Sequence, residues 1–461
     1  MADGTIGKGV ATDWNISDDG LTYTFKLRNN SHWAMFSGHK AVLGENYEDT
    51  FDITVKAEDF KFGIERTLSE QTGSADAPLF SAVKSISTPD DFTIVFNLSY
   101  ADDNFLYALT NPGAMPCDEE FFNLTNGKYG LDAKYLLCNG PFHVSKWTEK
   151  TSVKLAKNNE YNGESSVSPS SVTFYINNDD SEVADKMNSV TYDVAFLSSS
   201  QFSSIENKKD LNSVAVQNVT YSFIFNQNDN NYRNKNMRLA FCRSCDTSSL
   251  FDSQSDISKA DGIVPPSCKI GGEDYRNGNA AELLSYDETL AKKNFNDALL
   301  DLGSSSVETT ILCTEQYEPF VKQMVQKLQK TLGVKFVSTV KVVSESDLEA
   351  AVNDGNYSVA FYPFKAKSSF AGEIIEGFDQ NNIFGYESDV LSQKIRNIKN
   401  NSGSLEGERS AVADAENYLV SEAVIMPVFY ENSYFVTSKK TSGIYFYSSA
   451  DNVCFINAKK S

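Results

Sequence analysis

Residues 345–361 have the sequence Glu-Ser-Asp-Leu-Glu-Ala-Ala-Val-Asn-Asp-Gly-Asn-Tyr-Ser-Val-Ala-Phe, and residues 180–196 have the sequence Asp-Ser-Glu-Val-Ala-Asp-Lys-Met-Asn-Ser-Val-Thr-Tyr-Asp-Val-Ala-Phe. The two stretches are offset by 165 positions, and both end in Tyr-x-Val-Ala-Phe. Each has the pattern of a capped helix, a turn and a buried strand, and another strand precedes it, at 172–176 and at 337–343. This echo predicts two α/β lobes built alike, and the alternative is chance similarity between two ordinary units.

Other segments show equally regular patterns. Residues 21–27 and 92–98 alternate apolar and polar side chains, which is typical of half-buried strands. Residues 57–66 have a helical pattern, and residues 317–332 form a longer amphipathic helix pattern followed by Gly333, where a helix is expected to end. Strands that alternate with helices favour an α/β fold.

The composition excludes several classes of function. Of 461 residues, 41 are basic and 62 are acidic, which gives a formal net charge of −21. So acidic a chain repels phosphate backbones and anionic lipid, and we expect no nucleic-acid partner. No stretch approaches the ~20 continuous apolar residues of a membrane-spanning helix. The length favours about three domain-sized units.

The sequence shows little sign of catalytic or metal-binding motifs, so we expect no enzymatic activity, no cofactor and no metal. The three histidines (His32, His39 and His143) form no metal-spaced pair with another His or Cys. The sequence contains no nucleophile elbow, phosphate-binding loop or HExxH motif.

Two α/β lobes predict a ligand site in the cleft between them, near the carboxyl ends of the echoing strands. Residues 197–200 would then lie on one side and residues 362–365 on the other. The alternative is that both segments are simply the starts of loops.

Further motifs run through most of the chain. They are residues 10–28, residues 55–60, residues 139–142, Trp147, residues 157–163, residues 225–226, residues 236–241, Pro265, Pro266 and residues 426–430. Their order and spacing, from residue 10 to about residue 440, resemble those of the family 5 extracellular solute-binding proteins. These are the oligopeptide-binding and dipeptide-binding components of ABC importers.

The resemblance implies a fold and a domain plan. The fold is α/β, the two-lobed periplasmic-binding-protein type II fold with mixed sheets and an extra strand-rich subdomain in lobe one. We expect residues 1–130 to form that inserted subdomain, 131–215 lobe one, 216–430 lobe two and 431–461 the return to lobe one. Family members usually carry several tens of residues before the motif around Trp14, so we expect the chain to be truncated at its N-terminus.

The implied function is to capture oligopeptides between two hinged lobes and to deliver them, as a monomer, to an ABC permease. An extended peptide can bind as an added strand, here along Val359, Ala360 and Phe361. Tyr430 lies near the expected return crossover, where it is either a hinge or pocket residue or a core tyrosine. The predicted ligand-binding residues are Ser198, Ser199, Val359, Ala360, Phe361, Tyr362, Pro363, Phe364 and Tyr430.

One departure from the family keeps a second cargo open. Peptide binders of the family often have an acidic residue, just past the second echoing strand, that pairs with the ligand's ammonium group. Alignment on Ser368, Ser369 and Phe370 puts Pro363 at that position, with Lys365 close by. The alternative cargo is therefore a non-peptide solute such as an oligosaccharide, an opine or a nickel chelate.

The resemblance also implies an extracytoplasmic location. The Asn-rich, Lys-over-Arg composition favours a cell-surface lipoprotein of a Gram-positive bacterium, with its anchoring Cys upstream of Met1, over a periplasmic protein. Outside the cytoplasm, a disulfide between Cys117 and Cys138 is a hypothesis. Cys242 and Cys245 have redox-motif spacing, but in the family register they replace small residues, so we expect buried thiols.

Overall fold

A computed structural model describes residues 6–74, 76–102, 105–163, 166–176, 180–247, 250–251, 255–366, 370–379, 382–401, 404–447 and 452–461. The chain forms two compact units. Unit 1 is Met1–Glu182, Lys440–Tyr445 and Val453–Ser461, and unit 2 is Val183–Lys439 and Phe446–Asn452. Within the described ranges, no helix has the length and apolar character that crossing a membrane requires. The lobe boundaries given above stay a prediction.

The strands, in chain order, are β1 (Ala11–Ile16), β2 (Thr22–Leu27), β3 (Val83–Asp90), β4 (Thr93–Leu98), β5 (Phe142–Thr148), β6 (Ser152–Lys157), β7 (Ser171–Tyr175), β8 (Val194–Ser198), β9 (Leu211–Val216), β10 (Val219–Phe225), β11 (Ile257–Lys259), β12 (Lys269–Ile270), β13 (Glu273–Asp274), β14 (Val307–Thr314), β15 (Phe336–Val343), β16 (Val359–Lys365), β17 (Ile425–Glu431), β18 (Ser433–Ser438), β19 (Thr441–Ser442), β20 (Tyr445–Tyr447), β21 (Asn452–Cys454) and β22 (Lys459–Lys460).

The helices are α1 (Lys40–Leu43), α2 (Tyr47–Thr50), α3 (Ala57–Leu68), α4 (Phe105–Ala108), α5 (Glu119–Leu124), α6 (Asp180–Asn188), α7 (Ser199–Ser204), α8 (Asn230–Arg233), α9 (Lys235–Ser244), α10 (Glu288–Leu302), α11 (Glu318–Leu332), α12 (Glu345–Asn353), α13 (Gly372–Glu376), α14 (Asp389–Asn400) and α15 (Leu405–Ser421).

Unit 1 contains a four-stranded antiparallel sheet in the order β1-β2-β4-β3 and a three-stranded meander, β5-β6-β7. The alternating patterns around β2 and β4 are confirmed, because Tyr23 and Phe25 on β2 and Phe96 on β4 are all buried. Helix α3, also predicted, adds Ala57 and Ile64 to the same core.

The main sheet of unit 2 has six strands in the order β11-β17-β10-β16-β14-β15. Strand β14 runs parallel to β15 and β16, while β10 runs antiparallel to β16 and to β17. Hence β14, β15, β16 and β17 all point in one direction. Helices α9, α10 and α11 cover one face of this sheet, and helices α12 to α15 cover the other. The predicted helix at 317–332 is confirmed as α11, which ends at Gly333 with a positive φ of 78°.

A three-stranded sheet, β8-β18-β9, completes unit 2. Two chain crossings join it to the six-stranded sheet. Gln217 and Asn218 connect β9 to β10, and Asn432 connects β17 to β18. Strand β18 pairs antiparallel with both β8 and β9, and Ser433 lies opposite Ser198 on one side and Val216 on the other.

The two copies of the sequence echo form the same order of elements, strand, helix and strand, but their strands belong to different sheets. Strand β7, helix α6 and strand β8 begin at Ser171, Asp180 and Val194, and the second copy begins its elements at Phe336, Glu345 and Val359, which preserves the offset. In the second copy, β14 lies between β15 and β16 in one sheet, whereas β7 and β8 belong to separate sheets. The predicted strand–helix–strand units are therefore confirmed, but their strand neighbours differ.

Two buried charged groups hold the chain of unit 2 to its sheet. The Arg238 guanidinium is 2% exposed and donates to the backbone oxygens of Tyr232, Arg233, Glu422 and Ala423 at 2.7–3.1 Å. Ala423 has a positive φ of 49°, which is uncommon for a residue other than glycine. The bonds from Arg238 hold this turn, which leads from α15 into β17.

The second group is Glu416 on α15, which is 1% exposed. Its carboxylate accepts the backbone N–H groups of Ile263 at 2.7 Å and Val264 at 2.9 Å, the Tyr275 hydroxyl at 3.0 Å, and two bonds from the Arg276 guanidinium. A long excursion of the chain between β11 and α10 is thereby fastened to a helix of the core.

The seven cysteines are free thiols, so the hypothesis of a Cys117–Cys138 disulfide is wrong in this structure. The Cys117 sulfur instead accepts a hydrogen bond from Arg66 Nη1 at 3.6 Å. Cys242 and Cys245 are buried, and burial raises the pKa of the Cys242 thiol to about 12. The expectation of buried thiols at this motif is confirmed by their burial. A neutral, enclosed thiol is a poor redox nucleophile.

Replacing Glu416 by Gln tests the buried ion pair. The variant leaves the Arg276 guanidinium, 8% exposed, without a counter-charge, so we expect a loss of about 3–5 kcal/mol in the free energy of unfolding. Urea unfolding followed by circular dichroism measures it. Glu288→Gln is the control, since the Lys292–Glu288 pair is exposed and should leave the midpoint unchanged. Equal midpoints for wild type and Glu416→Gln would contradict the role of the pair.

Burial of His39 in unit 1 predicts a pH dependence. The ring is 0% exposed and its Nδ1 atom has no hydrogen-bond partner. Desolvation lowers the pKa of His39 to about 4, while an unfolded histidine titrates near ~6.5. The unfolded chain therefore binds the proton first, and stability falls as the pH drops from about 6.5 to about 4.

In His39→Leu, this part of the acid sensitivity should disappear. The difference in unfolding free energy between wild type and variant should shrink or reverse toward pH 4, with a slope of at most about 1.4 kcal/mol per pH unit. Urea titrations at several pH values measure the slope, and parallel curves for the two proteins would rule the effect out.

Candidate functional site

The strand ends of unit 2 converge at one edge of the six-stranded sheet. Strands β14, β15, β16 and β17 finish there at Thr314, Val343, Lys365 and Glu431, and β10 begins there at Val219. In open α/β sheets, ligands bind outside the carboxyl ends of the strands. We call this region the carboxyl edge.

The first half of β16 is part of the core. Val359, Ala360 and Phe361 are at most 1% exposed. Val359 and Ala360 pair with β10 on one side and with Ile311 and Leu312 of β14 on the other. The expectation that this backbone is open for an added strand is therefore wrong for Val359 and Ala360, because both sides of the strand are occupied.

The second half of β16 lies at the carboxyl edge. Tyr362, Pro363 and Phe364 are half-buried and pair with β10 only, since the pairing with β14 ends at Ala360. The rings of Tyr362 and Phe364 are 5.7 Å apart, and Phe364 stacks on Phe378. Of the predicted residues on β16, these three have surface available for a ligand.

Ser198 and Ser199 lie where β8 turns into α7, within the same unit as β16. Ser198 is the N-cap of this short helix, and its hydroxyl accepts the Gln201 backbone N–H at 3.2 Å. Ser199 is buried and donates its N–H to the backbone oxygen of Asn432 at 3.3 Å. Both serines thus have structural roles at the end of β8.

Tyr430 is a core tyrosine, 3% exposed. Its hydroxyl accepts the Asp261 backbone N–H at 3.0 Å and donates to the Gly262 oxygen at 3.4 Å. The hydroxyl therefore fastens the chain excursion after β11 to β17. The surroundings of Tyr430 are those of a core tyrosine, which was the alternative to a pocket residue.

A polar network connects the two crossings between the sheets. Asn432 Oδ1 accepts from Gln217 Nε2 at 2.7 Å and from the Ser258 hydroxyl at 3.1 Å. Next to it, Asp256 accepts the Ser200 N–H at 2.5 Å and gives its backbone oxygen to the Asn432 N–H at 2.7 Å. We call these five residues the crossover network. No local sequence pattern predicts this network, because its members come from separate segments of the chain.

An aromatic cluster with one acidic residue lies on the face of the sheet covered by α11. Tyr221 and Tyr317 have ring centroids 4.4 Å apart, and the Tyr317 hydroxyl donates to Glu431 Oε1 at 3.0 Å. Tyr430 was among the predicted ligand-binding residues, but the next residue of the strand, Glu431, was not. An acidic residue closing the apolar strand Ile425–Glu431 was the available signal.

Potential metal ligands do not cluster in the described part of the chain, where no group of three or more His, Cys, Asp or Glu side chains is placed to hold an ion.

The sequence matches the model of the bacterial extracellular solute-binding proteins, family 5, over residues 5–384. The chain belongs to this family. Among its relatives is the dipeptide-binding protein DppE of Bacillus subtilis, 23% identical over 94% of this chain and 80% of that protein. The oligopeptide-binding protein AliB of Streptococcus pneumoniae is 26% identical, but the match spans 64% of this chain and only half of that relative.

Solved family structures have the same fold. The Listeria monocytogenes OppA structure with bound peptide is 20% identical and superposes with a TM-score of 0.78 over 100% of this chain and 92% of that one. A substrate-binding domain from Bacillus anthracis, 19% identical, gives 0.77 over 98% and 90%. The predicted α/β periplasmic-binding-protein fold is thereby confirmed; it has several sheets, and the six-stranded one is mixed. The alignment that places Pro363 at the family's acidic position stays a prediction, and Ser368 and Ser369, on which it depends, lie outside the described residues, as does Lys367.

Two alanine variants separate core from edge on β16. Phe361→Ala removes a fully buried ring, so we expect unfolding to become easier by about 3–5 kcal/mol. Tyr362→Ala removes a ring that is partly in water, so the expected cost is roughly 1–2 kcal/mol. Urea unfolding of the two variants provides the comparison. A larger loss for Tyr362→Ala than for Phe361→Ala would show that the core and edge positions are misassigned.

Proposed function

We propose that the protein is the extracytoplasmic substrate-binding component of an ABC importer, and that its cargo is an oligopeptide. The family match over residues 5–384 carries the proposal. Two relatives named for dipeptide and oligopeptide binding, and a similar structure holding a peptide, support the choice of cargo. The protein binds and releases its ligand without chemical conversion, as a monomer that docks on a membrane permease.

The edge of β16 supports a modified form of strand addition. From Phe361 to Lys365 the strand is paired with β10 on one side, and the pairing with β14 has ended. An extended peptide placed beside this segment can bond to backbone oxygens, with Tyr362 and Phe364 offering apolar contact. Pro363 has no N–H to donate, so the pairing is shorter than that of a full strand.

The two crossings between the sheets of unit 2 are the proposed hinge. Among the residues that the structure describes, the chain passes between the six-stranded and the three-stranded sheet at residues 217–218 and at Asn432. The Gln217–Asn432 bond couples the crossings, so a rotation of one sheet changes both together. Small dihedral changes at a few element-terminal residues are sufficient for such motion.

The location is proposed as the outer face of the membrane, as a lipoprotein of a Gram-positive bacterium or in a periplasm. The family description as extracellular solute-binding proteins supports it.

Thermal unfolding with defined ligand pools tests the function. A peptide present at 100 times its dissociation constant stabilises the folded state by ~2.7 kcal/mol. For compact units of this size, we expect the melting temperature to rise by about 5–10 °C. The pools are synthetic tripeptides to pentapeptides, and the matched comparisons are free amino acids, oligosaccharides, an opine and a nickel chelate.

Native mass spectrometry of the purified protein gives an independent answer, because a retained ligand is identified by its mass. Hydrogen exchange with and without the stabilising pool should change at residues 217–218 and 432 but not at Val359 and Ala360. Stabilisation by a sugar, opine or chelate pool, with none from peptides, would establish the non-peptide alternative. Unchanged exchange at both crossings despite peptide binding would refute the hinge.

A further inference from the structure

A cavity of about 220 Å³ lies in unit 2 where β17 begins, at the opposite end of this strand from the carboxyl edge. It is lined by the end of α9, by residues 425–428 of β17 and by residues 283–286, which precede α10. Two further lining residues, Lys259 and Tyr286, are exposed, so the cavity opens to water beside them. The cavity is separate from the β16 segment that is proposed to bind the peptide.

Three sulfur-containing side chains line this cavity: Cys242, Cys245 and Met426. Both cysteines belong to the buried cluster between the six-stranded sheet and helices α9 to α11, and Met426 packs against the same cluster. All three therefore lie on one face of the sheet. We call the region that they line the sulfur cavity.

The two cysteines are close enough to act together. They are three positions apart at the end of α9, a spacing at which helical side chains share a face, and each affects the ionisation of the other. Both are free thiols, 2% and 5% exposed. The Cys245 thiol donates to the Met324 backbone oxygen at 3.9 Å, which is a weak bond that a metal–sulfur bond can replace.

Positive charges surround the two thiols. Burial raises the pKa of Cys242 to about 12 and raises that of Cys245 as well, whereas the guanidinium groups of Arg238 and Arg243 lower the first and the Lys327 ammonium lowers the second. The thiols thus keep their protons at neutral pH, and only an ion that binds thiolates strongly displaces them. The cations then offset the negative charge that two thiolates bring into a buried region.

The donor set decides which ion fits. Sulfur ligands select soft metal ions. Structural zinc sites have four ligands, and iron–sulfur clusters are held by four thiolates or by thiolates and histidines. In the described part of the chain, no group of three His, Cys, Asp or Glu side chains is placed to hold an ion, so two thiols and one thioether are the whole set. Cu(I) is the soft ion that accepts so few ligands, all of them sulfur.

We propose that Cys242, Cys245 and Met426 bind one Cu(I) ion in the sulfur cavity. The ion bonds to both thiolates and to the thioether, and the two thiol protons pass to the solvent, so neither copper nor sulfur changes its oxidation state. The complex has one negative charge, and the Lys259 ammonium, at the open side of the cavity, provides a counter-charge. The site goes beyond the proposed function and does not depend on it, because peptide binding at β16 uses none of these residues.

Competition with bicinchoninate tests the site, because this chelator forms a coloured Cu(I) complex that loses its absorbance when the protein removes the ion. The titration uses the purified full chain with reduced thiols, in the absence of oxygen. Wild type should remove one equivalent of Cu(I) per chain, and an excess of Zn(II) should not displace it. X-ray absorption at the copper edge of the loaded protein should show sulfur neighbours.

Three variants identify the ligands. The double variant Cys242→Ala and Cys245→Ala should no longer remove the ion. Met426→Leu keeps the size of the side chain and removes the sulfur, so we expect binding to weaken by about 10-fold or more, at least the effect of losing an outer-shell partner in other metal sites. Cys454→Ala is the matched control, because this half-buried thiol of β21 does not line the cavity, and it should bind like wild type. Thermal melts followed by circular dichroism verify that each variant is folded.

Several results would overturn the inference. Failure of wild type to compete with bicinchoninate refutes the site without any variant, and so does a copper spectrum dominated by nitrogen or oxygen neighbours. Wild-type binding by the folded double variant means that other thiols hold the ion, and wild-type affinity of Met426→Leu removes the thioether from the site. Peptide stabilisation is measured separately with and without Cu(I) and should be equal, so failure of the copper site leaves the proposed function intact.

Discussion

The Glu416 carboxylate is the interaction on which the arrangement of unit 2 depends. It lies on α15, below the sheet, and is 1% exposed, so its charge is tolerated only because five donors converge on it. Those donors come from the excursion between β11 and α10. The same excursion is held at Asp261 by the Tyr430 hydroxyl, and Tyr430 immediately precedes Glu431. The position of the last residues of β17 therefore depends, through the excursion, on the buried Glu416 carboxylate.

Local structure was predictable from local pattern. The amphipathic spacing of residues 317–332 and the alternation in β2 and β4 are properties of neighbouring residues, and the elements formed where the patterns indicated. The echo also predicted matching elements at the offset found. It did not predict that β15 and β16 share a sheet while β7 and β8 do not, because strand partners depend on distant segments such as β14, β6 and β18.

The candidate site was predicted less well for a related reason. The carboxyl end of an echoing strand is the right place to search for a ligand, and Tyr362, Pro363 and Phe364 are accessible there. An apolar run such as Val359–Phe361 is equally consistent with an exposed edge or a central strand, and pairing on both sides made it core. The Gln217–Asn432 and Tyr317–Glu431 contacts join residues more than a hundred positions apart, so no local pattern could have revealed them.

The crossings also constrain the order in which unit 2 can assemble. Gln217 and Asn432, bonded at 2.7 Å, are 215 residues apart in the chain, and closing so long a flexible loop costs about 5 kcal/mol in chain entropy. Three short strands repay little of that cost. Once the six-stranded sheet has formed, its own β10 and β17 hold the two crossings side by side, and the loop is already closed. The small sheet is thus completed on the large one as its template, and any chain in which the large sheet is unfolded also loses the small one.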